Sequence, residues 1–381
     1  MELRKKRKTG AMAAILALSV LLTGQRVLAA QMVPAPEEAV AASAAAQDTG
    51  RKLVPLGRAV GIKLFSDGVM VVGLSELHAG EEKVSPGKRS GLKTGDVITH
   101  VNGREVDTVE EVQAILRQEG EQPLTLRASR KGKVVQLSAQ AVETAQGCYQ
   151  LGVWLRDSMA GIGTMTFWDP ADGSFAALGH GINDVDTAQL MPLESGSIMY
   201  ASVKDVKKGE NGQPGELHGC FDVNRDLGVL SANTQQGIFG RMTCDAFSDR
   251  CDAVEVASRD EVKVGPAVIR SNLAGETVEE YAVEITHVYP TSAGESRNLM
   301  LKVTDQRLLE KTGGIVQGMS GSPIIQDGKL VGAVTHVLVN DPTRGYGIFI
   351  ENMLEEAEKI KYNDKSKNLI IRIMHLSKQQ K

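Results

Sequence analysis

The sequence predicts a mainly β protein with a few helices, arranged as two compact units behind an apolar leader. Three observations carry that prediction. Short apolar runs alternate with turn residues through most of the chain, 40 of its 381 residues are glycine, and only 4% are aromatic. Many tight turns use glycine, and cores poor in rings must be built from aliphatic side chains, for which a hydrophobic content of 42% suffices. The net charge of −4 implies no broad basic surface and argues against a nucleic-acid partner.

Residues 1–30 differ from the rest. Arg4-Lys5-Lys6-Arg7-Lys8 precedes the apolar run from Ala11 to Leu22, and Val27-Leu28-Ala29 offers a small-residue cleavage site, the three-part layout of an export signal. The apolar run is shorter than the roughly 20 residues of a spanning helix, but extended through Ala30 it spans with Arg26 near its outer end. As signal peptide or as membrane anchor, it places the body of the protein outside the cytoplasm. No cysteine follows at a lipobox position. Residues 31–54, with Pro34, Pro36 and an Ala/Ser-rich tract, read as a flexible linker with little to bury.

Residues 55–143 read as the first unit. Val69-Met70-Val71-Val72 is a strand, and Gly91-Leu92-Lys93-Thr94-Gly95-Asp96-Val97-Ile98 leads into another that closes at the Asn102-Gly103 turn. Thr108 with Glu111 makes a capping box, and Val109, Val112, Ile115 and Leu116 fall on one face of the helix that follows. Leu124 to Leu126 and Val134 to Leu137 pair across a turn at residues 130–133. Strands around one capped helix, with this Gly-Leu-Lys-Thr-Gly-Asp phrase, resemble a bacterial PDZ domain. Such a domain binds an extended peptide as an added strand and often holds its terminal carboxylate on backbone N–H groups. The resemblance implies a carboxylate loop near Gly61 and Ile62.

Residues 144–363 form the second unit. Thr164 to Trp168 and Ser174 to Leu178 make a hairpin that ends at Gly179-His180-Gly181, and more short strands follow around residues 262–269 and 281–287. Regular short strands separated by turns suggest a β-barrel or sandwich. A helix over residues 351–360 closes the unit. The basic tail, residues 364–381, holds one apolar stretch, Leu369 to Met374, to which no role is assigned.

The chemistry centres on Gly318-Met319-Ser320-Gly321-Ser322-Pro323, a serine in a tight glycine-rich loop ahead of two short strands. A serine hydroxyl is a poor nucleophile until a base takes its proton and amides bind the oxyanion that forms. A small residue two places before the serine lets neighbouring N–H groups turn toward one point. The loop is similar to the nucleophile loop of chymotrypsin-type serine proteases, so Ser320 is the candidate nucleophile. Histidine has the pKa for the base. His180, between two glycines at a strand end and before the serine in the chain, leads, and His336 is the alternative. His218 with Cys220 suggests a cysteine nucleophile by adjacency alone. For the carboxylate that orients the imidazole, Asp305, Asp184 and Asp186 all remain open, and Asp305 also reads as the N-cap of a helix from Gln306 to Lys311. Cys148, Cys220, Cys244 and Cys251 contain no Cys-x-x-Cys pair, so no zinc site or other cofactor is expected. The spacing of Cys244 and Cys251 permits either a disulfide or free thiols.

Gly314 to Pro323, Ala177-Leu178-Gly179-His180 with Asp184-Val185-Asp186-Thr187, and Gly332 to Val337 through Asn340-Asp341-Pro342-Thr343, together with the domain order, resemble the stage IV sporulation protein B family of PDZ-containing serine peptidases. The resemblance implies a PDZ domain followed by a chymotrypsin-like β-barrel serine protease domain. It implies a triad of His180, Asp305 and Ser320, with oxyanion donors at the amides of Gly318 and Ser320. It also implies a peptidase exported into the space between mother cell and forespore, which cleaves itself and a membrane-bound regulator of an intramembrane protease and so leads to activation of a late sporulation sigma factor. The rival expectations are a PDZ adaptor that has lost catalysis and a general PDZ-type quality-control protease.

Overall fold

The computed structural model describes residues 50–80, 82–244, 252–290 and 296–362. The leader, most of the linker, Cys251 and the basic tail lie outside the described residues. The strands are β1 (Lys52–Leu74), β2 (Leu77–Ala79) and β3 (Glu82–Val84), then, after a short helix α1 (Pro86–Arg89), β4 (Val97–Val101) and β5 (Arg104–Glu105). Helix α2 (Val109–Glu119) precedes β6 (Pro123–Arg130), β7 (Lys133–Gln140), β8 (Val142–Glu143) and β9 (Tyr149–Gln150). Then come β10 (Val153–Trp168), β11 (Ser174–Ala177), β12 (Ser195–Lys207), β13 (Glu216–Thr234), β14 (Gly237–Met242) and β15 (Val254–Glu255). The described residues finish with β16 (Gly265–Ala274), β17 (Thr277–Val288), β18 (Leu299–Val303), α3 (Gln306–Thr312), β19 (Pro323–Gln326), β20 (Lys329–Leu338), β21 (Asp341–Phe349) and a helix α4 over 350–362.

Two closed rings of strands form the peptidase part. In the first, the order β10-β11-β14-β13-β12-β1 returns on itself because β1 also pairs with β10. The second is the closed barrel β16-β17-β18-β21-β20-β19. The aliphatic cores expected from the composition fill both. Leu56, Val60, Ile198 and Ile238 pack inside the first, and Ile269, Val283, Leu301 and Val334 inside the second.

Strand β1 does two jobs. Its residues 60–65 lie between β10 and β12 in the first ring, whereas Val69 and Met70 pair with β4, which continues into β6 and β7. Those last strands and α2 make the PDZ domain around Val71, Ile98, Ile115 and Leu126. Leu151, Val153 and Leu155 complete the same core. They lie beyond residue 143, where the sequence ended this unit, because the start of β10 folds back beside β1. The local signals behave as read: Asn102 and Gly103 adopt positive φ in the turn, and the Thr108 hydroxyl accepts from the Glu111 amide while Glu111 accepts from the Thr108 amide. Asp96, almost fully buried, is held by two 2.7 Å bonds from Arg130, so its charge is paired rather than stranded.

The capping box gives a direct test. Thr108→Ala should lower unfolding free energy by about 1 kcal/mol in urea titration, the usual cost of an N-cap.

Candidate active site

The turn after β11 positions the histidine. Leu178 and Gly179 both have φ near +70°, a conformation a leucine adopts only when its surroundings enforce it. Gly179 is needed because a Cβ there would lie 3.0 Å from Thr335 and Ile348. His180 follows, half-buried, with its Nδ1 2.9 Å from the Gly181 carbonyl. A carbonyl only accepts, so Nδ1 carries the hydrogen and Nε2 keeps its lone pair. Burial lowers the pKa of His180 and the Gly181 bond partly opposes this, so the ring stays neutral to below the ordinary value.

The serine loop comes from the second barrel. Gly318 (φ +94°) and Gly321 (φ +98°) bracket Ser320, and a Cβ on Gly321 would collide with the Thr164 carbonyl and the Leu178 amide. Thr164 ties the loop down: its amide donates to Ser320 O (3.1 Å) and its hydroxyl to Gly318 O (2.7 Å). The amides of Gln317, Met319, Gly321 and Ser322 donate to Gly215, Val316, Val334 and Met319 respectively. Those of Gly318 and Ser320 have no acceptor among the described residues. The Ser320 hydroxyl donates to Thr335 O at 2.7 Å.

Ser320 and His180 line one cavity of about 290 Å³, with Gly318 and Gln317 at one side and Ile62, Met159, Leu178 and Ile182 forming an apolar wall. His336, the alternative base, stands next to His180 with ring centroids 5.0 Å apart and a tilt of 38°. Among the described residues its Nδ1 is buried without a partner, and its pKa is lowered to about 4 chiefly by burial, then by repulsion from His180 once that ring is protonated and from Arg297.

Residues 147–354 match the family described as SpoIVB peptidase S55, and residues 80–130 match a PDZ domain. The chain belongs to the SpoIVB peptidase S55 family. As a member of it, this protein is a serine endopeptidase that carries a PDZ domain. Among curated proteins no match is found. Among solved structures, the PDZ domain of an SdrC-like protein from Listeria monocytogenes is 19% identical over 23% of this chain and 87% of its own, with a TM-score of 0.20. The HtrA-type protease AlgW with a decapeptide is 13% identical over 54% of each chain, with a TM-score of 0.32, so this chain spans about half of that protease. The active form of the Rv3671c protease from M. tuberculosis is 12% identical over 65% of this chain and 85% of its own, with a TM-score of 0.30.

Within this S55 peptidase the structure brings Ser320, His180 and Gly318 together but corrects two site expectations. Asp305 does not reach His180. It caps α3 through the Arg307 amide (2.9 Å), pairs with the Arg307 guanidinium (2.9 Å) and accepts from the Ala282 amide. Arg307 is also the main reason its pKa is lowered. Helix capping, a purely local demand, decides the position of that carboxylate. Asp184 and Asp186 are not beside the ring either. Asp184, 1% exposed, takes an ion pair from Arg156 and the amides of Asp186 and Thr187. It fixes the loop after His180 to β10.

The second correction concerns Gly61 and Ile62. Both lie mid-strand in β1, Gly61 opposite Ile162 and Met199, Ile62 opposite Gly161 and Ile198. Paired on both sides, they offer no open loop for a carboxylate, and Ile62 instead forms the wall of the Ser320 cavity. His218 is exposed and 3.5 Å from Glu216, and Cys220 is an exposed free thiol, as are Cys148 and Cys244. Thr164, Thr335 and the Met159–Ile162 wall went unnoticed in the sequence. Gly161 and Gly163 inside a strand were the available signal, because glycine there marks a close approach of other chain.

The buried His336 predicts a pH dependence of stability. Its pKa in the unfolded chain is near 6.5 and in the fold about 4, so the unfolded state binds the proton first as pH falls. Stability is full above pH 6.5 and declines between 6.5 and about 4. The urea midpoint of His336→Phe should fall less steeply across that window than that of the native protein.

Proposed function

We propose that this peptidase is exported across, or tethered to, the cytoplasmic membrane and cuts extracytoplasmic regions of membrane signalling proteins during spore formation. The carrying observation is the shared cavity: Ser320, a neutral His180 and Gly318 line it together, and the amides of Gly318 and Ser320 have no acceptor among the described residues. Ser320 attacks the peptide carbonyl carbon and passes its proton to His180 Nε2, which then delivers it to the leaving amine. The amides of Gly318 and Ser320 donate to the oxygen as it becomes negative. In the resting state the Ser320 hydroxyl is turned to Thr335 O, so substrate binding must rotate it toward His180. The Gly181 carbonyl, rather than a carboxylate, fixes the tautomer of His180. The apolar wall suits an aliphatic side chain beside the cleaved bond.

The biological setting rests on family membership and on the resemblance of the sequence. The substrates are the linker at residues 31–52 of the protein itself and a membrane-bound regulator of an intramembrane protease, in the space between mother cell and forespore, and a late sigma factor becomes active as a result. The leader at residues 1–30 supplies export or the membrane tether. Among the described residues no group of three or more His, Cys, Asp or Glu side chains is placed to hold a metal ion.

A fluorophosphonate probe should label the native protein and leave Ser320→Ala unlabelled. N-terminal sequencing of the exported chain should show a cut within residues 31–52 that is lost in Ser320→Ala. An unlabelled native protein overturns the peptidase assignment of Ser320. Asp305→Asn should keep kcat/KM within a few-fold, since asparagine still caps α3. A loss of about 10⁴-fold, as for a carboxylate that holds the imidazole tautomer, would return Asp305 to the site.

A further inference from the structure

Strand β10 has one edge paired with β1 from Trp168 opposite Val54 to Val153 opposite Leu74, with register shifts at Pro55/Arg58, at Phe65/Met70 beside Asp157, and at Val71/Gly73. Among the described residues its other edge pairs only with β11, over Met165 to Trp168. Among them, residues 153–163 therefore present an edge with no strand partner, which a protein normally covers or blunts. The edge begins beside α2: Val153 and Leu155 pack on the PDZ core, and the Asp157 carboxylate accepts from Val109, the first residue of α2, at 2.8 Å. It ends at Met159 to Ile162, the wall of the cavity that holds Ser320 and His180.

The orientation of the edge is readable. Thr164 turns its amide to Ser320 and its carbonyl to Leu178, away from β1. Register with β1 is unbroken from Thr164 to Ser158. In an antiparallel pair alternate residues face the same way, so Ile162, Ala160 and Ser158 also point their N–H and C=O outward. Cavities flank the two faces of this edge. A Cβ on Gly163 would meet Leu178, in the Ser320 cavity, whereas one on Gly61, the partner of Ile162, would meet Phe221. Phe221 lines a second cavity of about 520 Å³ with Glu216, His218 and Gly219. Both cavities share Gly161, Ile162, Gln317 and Gly318. An added strand throws its side chains alternately to either face. Here each face has a recess to receive them.

We propose that the protein substrate docks as an added antiparallel strand on residues 153–163 of β10, with its scissile bond at Ser320 and its C-terminal side running back toward α2. This rests on the peptidase reading of Ser320 and adds to it the form of the substrate: an extended segment, aliphatic toward the first cavity and polar or basic toward Glu216 in the second. Antiparallel pairing is what every partner of β1 and β10 in this sheet uses. From Ile162 to Val153 the strand reaches about 30 Å at ~3.3 Å per residue. The strand thus acts as a ruler of roughly eight substrate residues beyond the cut.

The test is a series of peptides with one cleavable bond, extended one residue at a time. With C-terminal extension, kcat/KM should rise by about tenfold or more up to roughly eight residues and then level, whereas equal N-terminal extension should add little. Single N-methylation of the substrate residues that face Ile162 to Ser158, where register is unbroken, should cut cleavage at every second residue only, because alternate amides face β10. Ala160→Pro, which removes an outward N–H without touching the β1 ladder, should raise KM for the longest peptide and flatten the length series. Fluorophosphonate labelling of the native protein separates the two ideas. Labelling with no dependence on C-terminal length, or with losses at successive residues, overturns strand docking alone, and no labelling at all overturns the peptidase reading beneath it.

Discussion

Thr164 is the joint on which the site depends. Its amide and hydroxyl hold the carbonyls of Ser320 and Gly318, and its own carbonyl takes the Leu178 amide. One residue of the first ring thereby grips the serine loop of the second barrel and the turn that carries His180. The fit tolerates only hydrogen at Gly321, whose missing side chain lets the loop lie against Thr164 and Leu178. Because Thr164 is fully buried, these bonds form where water does not compete, and losing one would strand a buried polar group.

The electrostatics follow from the same enclosure. Two imidazoles lie side by side in a half-buried setting, and burial opposes protonation of either. A neutral His180 with its Nδ1–H on a backbone carbonyl is ready to accept a proton without a neighbouring carboxylate. Charged groups are kept at the periphery of this centre. Arg156 is spent on Asp184 and Asp186, and Asp305 on Arg307.

Features written in neighbouring residues were legible in the sequence. The Thr108–Glu111 box, the Asn102-Gly103 turn, the hairpin before His180 and the serine loop each need only a few adjacent positions. Features made by distant pairing were not. By sequence, residues 52–54 read as the end of the linker and 55–65 as the start of the PDZ unit, yet β10 pairs with this stretch and β12 pairs with residues 60–65 from the other side. Gly57, with φ +65°, sits in a register shift against β10, where a Cβ would collide with Arg270. The same distant pairing hid the cavity wall and displaced the expected peptide loop from Gly61 and Ile62. Asp305 misled in the opposite way: its place shortly before the serine loop suggested catalysis, while its helix-capping signature, equally visible, described what it does.

The path of β1 has a consequence for how this molecule can be divided. The PDZ domain is not a bead strung ahead of the peptidase. It is nested, entered from the end of β1 and left by the start of β10, two strands that the first ring holds side by side. An insertion whose ends are already neighbours costs little to accommodate. Excising a peptidase as residues 147–354 would discard residues 52–65 and open the ring at its central strand, so any autonomous catalytic fragment must keep those residues and bridge the excised segment between Leu74 and Val153.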